Sequence, residues 1–240
     1  ALSSAASDVY KRQTYMSFFS QMDTYGDGYA GIGVWRAAFK PLVDRIADTD
    51  IRLQWFCCDR STGVTDASGK RVTLIRDTKY PVSVEYQTVK FIGTGRDNIK
   101  AGVFSGWELG DYIYLRSEEA YMIKMEALAH KGSADAITEL NSFMKTRQPD
   151  YNYTFTNKAD LIEEIIYQKR VEFWGEGLEY IDNRRLNIPV DRTDETWGAE
   201  NNNHFSAGKF RYNQEERPFL YQLPLSEIEN NSQLSPTDQN

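Results

Sequence analysis

The chain has 240 residues, 40% of them hydrophobic, and a formal net charge of −7. That is enough apolar material for a substantial core in one or two domains, and the acidic balance argues against nucleic acid, whose phosphates need a clustered basic surface. No apolar run approaches the ~20 residues that span a bilayer.

In chain order, Ser3–Gln13, SSAASDVYKRQ, resembles the in-frame translation of a sequencing adaptor. Residues 1–13 are therefore set apart as a non-native tail without native structure. The remainder, 14–240, is expected to be the C-terminal part of a longer protein. A Gly-rich aromatic loop, QMDTYGDGYAGIGVW, comes first, followed by a helix ending near Ala47. Asp23, Tyr25, Asp27 and Gly28 mimic the start of a calcium loop, but Val34 stands where the bidentate glutamate belongs. Gly26, Gly28, Gly31 and Gly33 lack the Walker spacing and read as a flexible turn.

Asp50 to Gly110 reads as strand and loop: LQWFCCDR, RVTLI, VSVEYQTVKFIG and GVFSGW, divided by Gly/Asp/Ser turns. Cys57 and Cys58 are adjacent, so bridging them would strain the ring. They read as small hydrophobes of a half-buried strand.

Four helical segments follow, from Gly110 to Leu186. On the first, Tyr114, Tyr121, Met125 and Leu128 form an apolar stripe beside the small Ala120 and Ala127. Gly132 suits a C-terminal cap and Ser133 the next N-terminus. Ala134, Ile137, Leu140 and Met144 give the second helix its inner face, and Pro149 stops it. Asn157, with Asp160 three residues on, starts the third, where Ile162, Ile166 and Phe173 face inward. Phe173 and Trp174 read as core. Two consecutive helical hairpins are compatible with tetratricopeptide-like packing. Residues 187–240 are polar and irregular, closing in one short strand.

Few residues invite chemistry. His130 and His204 stand apart without companions, and no zinc spacing or nucleophile–base pair occurs. Glu172, Glu176 and Glu179 follow helical spacing, whereas a glycosidase needs two carboxyls facing across a cleft. Aromatics in loops remain: Tyr25, Tyr29, Trp107, Trp197 and Tyr212. A ring offers a flat apolar face to a sugar's C–H side, while nearby Asp, Asn and Arg bond its hydroxyls. Tyr25 and Tyr29, flanked by glycines with Asp27 between them, are the leading ligand-binding candidates, with Trp107 beside them.

YLRSEEAYMIKMEALAHKG, the A-x-x-x-LN of Ala136 to Asn141, KRVEFWGEGLEYIDNRR and the tail FLYQLPLSEIENNSQLSPTDQN together resemble the SusD/RagB family, as does DTDIRLQWF upstream. Gln168 and Lys169 replace the usual Glu–Arg pair, and Glu179 a basic residue, which puts local ion pairs in doubt. The resemblance implies a mainly α fold of tetratricopeptide-like hairpins with a substantial irregular and short-strand portion. It also implies a non-enzymatic, cofactor-free outer-membrane lipoprotein that binds oligosaccharides such as those of starch. Such a protein lies as a lid over a SusC-like TonB-dependent transporter, tethered by an N-terminal lipid anchor that this fragment lacks. The competing readings are a glycoside hydrolase and a tetratricopeptide scaffold for protein partners.

Overall fold

The computed structural model describes residues 37–65, 68–69, 85–88, 90, 115–216 and 223–235. They fall into two units, one ending at Gly175 and the other starting at Glu176. The predicted strands RVTLI and GVFSGW, and the loop from Gln21 to Trp35, lie outside the described residues.

The first unit opens with α1, Lys40–Asp44, whose early Pro41 suits a helix start and which ends three residues before the expected Ala47. Val43 packs with Ala38, Ile46, Leu53, Phe56, Val64, Tyr86, Tyr167 and Val171 in one hydrophobic core. Where LQWFCCDR predicts a strand, Ile51–Trp55 winds into a 3₁₀ helix, and only Phe56–Cys57 is strand, β1. The reason lies at Asp50. Its carboxylate accepts the Arg52 backbone N–H at 2.9 Å and also holds the Arg52 guanidinium, so the backbone curls around that side chain. β1 pairs antiparallel with β2, Gln87–Thr88, with Phe56 opposite Thr88 and Cys57 opposite Gln87. Cys57 and Cys58 are unbridged and buried, in keeping with their reading as small hydrophobes.

Among the described residues, three further helices belong to this unit: α2 (Ser117–His130), α3 (Asp135–Met144) and α4 (Lys158–Glu172). α2 packs against both α3 and α4. Gly132, at φ 72°, turns α2 into α3. Its N–H reaches Ala129 O, and that of Ser133 reaches Leu128 O, the two bonds of a Schellman cap. The Ser133 hydroxyl then accepts the Asp135 N–H at 3.2 Å. Asn157 starts α4 as expected, its Oδ1 accepting the Asp160 N–H at 3.0 Å.

The inner faces differ from those expected. α2 buries Met122, Met125, Glu126 and Ala129, while Tyr121, Ala120 and Ala127 are exposed and Leu128 is half-buried. The stripe is rotated by one residue because a carboxylate belongs to it: Glu126 pairs with buried Lys169 of α4 at 3.2 Å. α3 buries Ala136, Leu140 and Met144, one turn apart, and leaves Ala134 exposed. It also ends at Met144, before Pro149, because the chain turns so that Arg147 O can accept the Ile51 N–H at 2.9 Å. On α4, Leu161 and Ile165 are buried and Ile162 only half so. From Glu164 to Phe173 every residue except Arg170 is buried, charged ones included.

Those charges form one network. Arg52, 1% exposed, donates to Asp50 Oδ2 at 2.7 Å, Gln168 Oε1 at 2.5 Å and Glu172 Oε2 at 3.3 Å. Glu172 Oε1 also takes Arg116 at 3.1 Å and Arg147 at 3.0 Å. Arg147 reaches Glu118 as well, at 3.4 Å. At the C-terminus of α4, Arg116 and Lys90 donate to Glu172 O at 3.0 and 2.7 Å, and Lys90 to Trp174 O at 3.0 Å. Cations there also suit the negative end of the helix. Burial pushes the Glu172 carboxyl up, but the Arg147 hydrogen bond and the charges of Arg52, Arg147 and Arg116 outweigh it and hold it below the usual range.

The second unit begins with α5, Leu178–Arg185, after Gly177 at φ 86°. β3, Val190–Asp191, pairs antiparallel with β4, Arg211–Tyr212. Between them lie α6, Asp194–Trp197, and a 3₁₀ turn, Ser206–Gly208. The P-x-S-E-I stretch forms α7, Leu225–Asn230, while the strand expected just before it, over FLYQL, lies outside the described residues except for Leu223. Across both units the described chain is mainly helix, with short strands and irregular segments between, as the sequence leads one to expect.

Removing one partner from a buried ion network strands the rest. Glu172→Gln should therefore cost about 3–5 kcal/mol in urea unfolding at neutral pH. Acidity should act through the same group. With its folded pKa lowered, Glu172 contributes its full stabilisation above the ordinary glutamate value of about 4.3, and loses it as the pH falls through the lower folded value. The urea midpoint should drop below about pH 4.3, and less steeply in Glu172→Gln. A midpoint flat from neutral to pH 3 would contradict this role.

Candidate functional site

In the first unit, the segment between α3 and α4 crosses the mouth of a cleft of about 380 Å³, within the roughly 300–1,000 Å³ of small-molecule sites. Asn141, last residue of the A-x-x-x-LN motif, fixes this segment. Its Oδ1 accepts the Tyr153 N–H at 2.7 Å and its Nδ2 donates to Tyr153 O at 3.2 Å. Ala136 and Leu140, the motif's other members, are fully buried. The motif thus seats α3 and pins an extended strand of chain beside it.

Three tyrosines line the cleft: Tyr151, Tyr153 and Tyr167. The rings of Tyr151 and Tyr153 are stacked, 6.4 Å apart and 17° from parallel. The Tyr153 hydroxyl donates to Asp160 O at 3.1 Å, and that of Tyr151 to Glu164 Oε1 at 2.9 Å. Arg45 lies over the Tyr167 ring at 3.9 Å and binds Glu164 Oε2 at 2.6 Å. Gln168 donates to Glu164 Oε1 at 2.7 Å, so this carboxylate holds three donors at once. Burial, then the Glu164 charge, push the Tyr151 hydroxyl far above the phenol range, and burial raises Tyr167 although Arg45 and Arg52 oppose it. Both stay neutral donors at any physiological pH. Asp150, Asn152 and Gln148 supply polar groups at the rim, Asp150 accepting from Thr49 at 2.6 Å.

The arrangement offers flat rings and fixed amide, carboxylate and guanidinium groups, which is binding chemistry. Its acids are occupied. Asp50 is held by Arg52, Glu164 by its three donors, and Asp150 accepts from Thr49; Glu172, which does not line the cleft, sits among three arginines with its pKa lowered, opposite to what a general acid needs. Glu176 and Glu179 belong to the second unit. His130 lies exposed at the end of α2, and His204, in the second unit, is pushed down by burial and then by Arg192 and Lys209.

The residues singled out from sequence are not those of this cleft. Tyr25, Asp27, Tyr29 and Trp107 lie outside the described residues. Phe173 is buried as expected, whereas Trp174 is half-buried, edge-on to Phe56 at 5.7 Å. Trp197 and Tyr212 are both in the second unit. Sequence reasoning passed over Tyr151 and Tyr153. The signal was there: alternating aromatics in Y-N-Y, just past Pro149 and before the Asn157 cap, with no helix or strand to absorb them.

The SusD family profile matches residues 40–240, and the chain belongs to that family. A SusD-like carbohydrate binding protein from Bacteroides vulgatus ATCC 8482, solved at 1.70 Å, shares the fold with a TM-score of 0.59 and 21% identity. The match covers 91% of this chain and 44% of that one, so the chain spans less than half of its solved relative. No curated protein matches the sequence.

The two departures in the third helix now have partners. Gln168 keeps an acceptor for Arg52 and a donor for Glu164 without adding a charge, and Lys169 keeps a cation for Glu126.

Proposed function

We propose that this chain is the glycan-binding part of an outer-membrane nutrient-uptake complex, holding an oligosaccharide without altering it. It lies as a lid over a SusC-like TonB-dependent transporter and is tethered by a lipidated N-terminal segment outside this sequence. Family membership over residues 40–240 carries the reading, and the relative's description as a carbohydrate binding protein agrees with it. The tyrosine cleft supports it chemically. Sugars are amphipathic, so stacked rings grip their C–H faces while Asp150, Asn152 and Gln148 meet their hydroxyls. Asp50 and Glu164, the buried acids of the cleft, are each held by an arginine, which supports binding over hydrolysis. No cofactor is needed for such a step. Tyr25, Asp27, Tyr29 and Trp107 remain proposed ligand contacts.

Titration calorimetry with neutral hexasaccharides (malto-, cello-, xylo- and manno-) tests this. Wild type should bind at least one, and Tyr153→Ala should weaken it by about tenfold, the loss of one aromatic platform. The double variant Tyr25→Ala/Tyr29→Ala should also weaken binding, and unchanged affinity there would retire that loop. Reducing ends should not accumulate on long incubation; a steady rise would favour a hydrolase instead.

A further inference from the structure

In the second unit a very short helix is held by more polar bonds than its length requires. Four residues form one turn, and an isolated turn does not repay its nucleation cost. Yet α6 is fixed at both ends. Asp191 Oδ1 accepts the Thr193 N–H at 3.0 Å and its hydroxyl at 2.7 Å. Asp191 Oδ2 accepts the Thr196 hydroxyl at 2.7 Å and Arg211 Nη1 at 3.1 Å. Asp194 takes Lys209 Nζ at 2.7 and 2.8 Å and Asn202 Nδ2 at 2.8 Å. Gly198, at φ 77°, then turns the chain so that Asn202 N–H reaches its carbonyl at 3.0 Å.

The last residue of this helix is Trp197. Its indole N–H donates to Asp191 O at 2.9 Å, which fixes the ring and satisfies its one polar atom while 38% of the residue stays exposed. Arg211, 55% exposed along its side chain, and the Thr196 hydroxyl share the Asp191 carboxylate below. Asp191 pairs with Arg211 and Asp194 with Lys209, and the remaining charges of the stretch, Glu195 and Glu200 against Arg192, leave it net negative, so the patch offers no net attraction to an anion. Fixing an aromatic ring and its neighbouring donors beforehand removes the ordering cost of binding.

We propose that Trp197, Arg211 and Thr196 form a carbohydrate-stacking site for one neutral sugar ring, separate from the tyrosine cleft. The ring lies on the indole, and the Arg211 guanidinium and Thr196 hydroxyl reach its hydroxyl groups. This site rests on the glycan-binding reading.

The test uses the whole chain and the same four hexasaccharides, with oligogalacturonate as the charged comparison. The Trp197 indole N–H resonance, assigned from its loss in Trp197→Phe, should shift on adding the neutral sugar that binds, and oligogalacturonate should leave it in place. Trp197→Ala should weaken binding at least fivefold, and Arg211→Gln should weaken it by a smaller factor. An unmoved indole resonance, or full affinity in both Trp197→Ala and Arg211→Gln, would overturn the site. If Tyr153→Ala loses affinity while Trp197→Ala and the resonance do not respond, only this site falls. If wild type binds none of the sugars, the glycan reading falls with it.

Discussion

A guanidinium with 1% of its surface exposed, Arg52, dictates the arrangement of the first unit. An unpaired charge at that depth would cost several kcal/mol, so its neighbours must supply carboxylates and acceptors from every side. Asp50 comes from its own turn, Gln168 and Glu172 from α4. Arg147 after α3 and Arg116 before α2 then converge on the same glutamate. Arg52, Arg116 and Arg147 are balanced by Asp50, Glu118 and Glu172, and Lys90 adds one cation at the C-terminal end of α4. One ion network thus joins four segments that are far apart in sequence.

That constraint extends into the cleft. Asp50 and Gln168, which hold Arg52, also form part of the cleft wall, and Gln168 passes the contact on to Glu164. Glu164 in turn orients Tyr151 and Arg45. Side chains locked from behind in this way present a fixed surface, so a ligand that fits meets little reorganisation cost. Stability and the proposed recognition share the same residues here. The hydrophobic core around Val43, Phe56 and Val171 meets this network at Tyr167, a core residue that lines the cleft beneath Arg45.

Much of the helical frame was legible. Gly132 and Asn157 do what their residue types suggest, because a left-handed turn and a side-chain cap are local matters. The faces of the helices were less legible. On α2 the true inner stripe contains Glu126, which a stripe sought among apolar residues alone leaves out. The strand expected over LQWFCCDR failed for a similar cause, since Asp50 and Arg52 curl the backbone there. In the cleft, Tyr151 and Tyr153 stood in a segment without periodicity, and nothing in their immediate neighbourhood says that Asn141 clamps them in place. Two of these misses involve a polar group whose partner is distant in sequence, Glu126 with Lys169 and Asn141 with Tyr153, whereas the Asp50–Arg52 contact is local.

The amino-acid sequence by itself determined where α2 turns into α3 and where α4 begins, that the two cysteines are packing residues, and which family pattern the chain carries. Those follow from short-range chemistry: caps, turns and apolar spacing within a few residues. Only the tertiary structure decided which charges are buried, which face of each helix turns inward, and which tyrosines share a cleft. Burial of a charge depends on a partner more than a hundred residues away, as with Arg52 and Glu172, and no local pattern encodes that meeting.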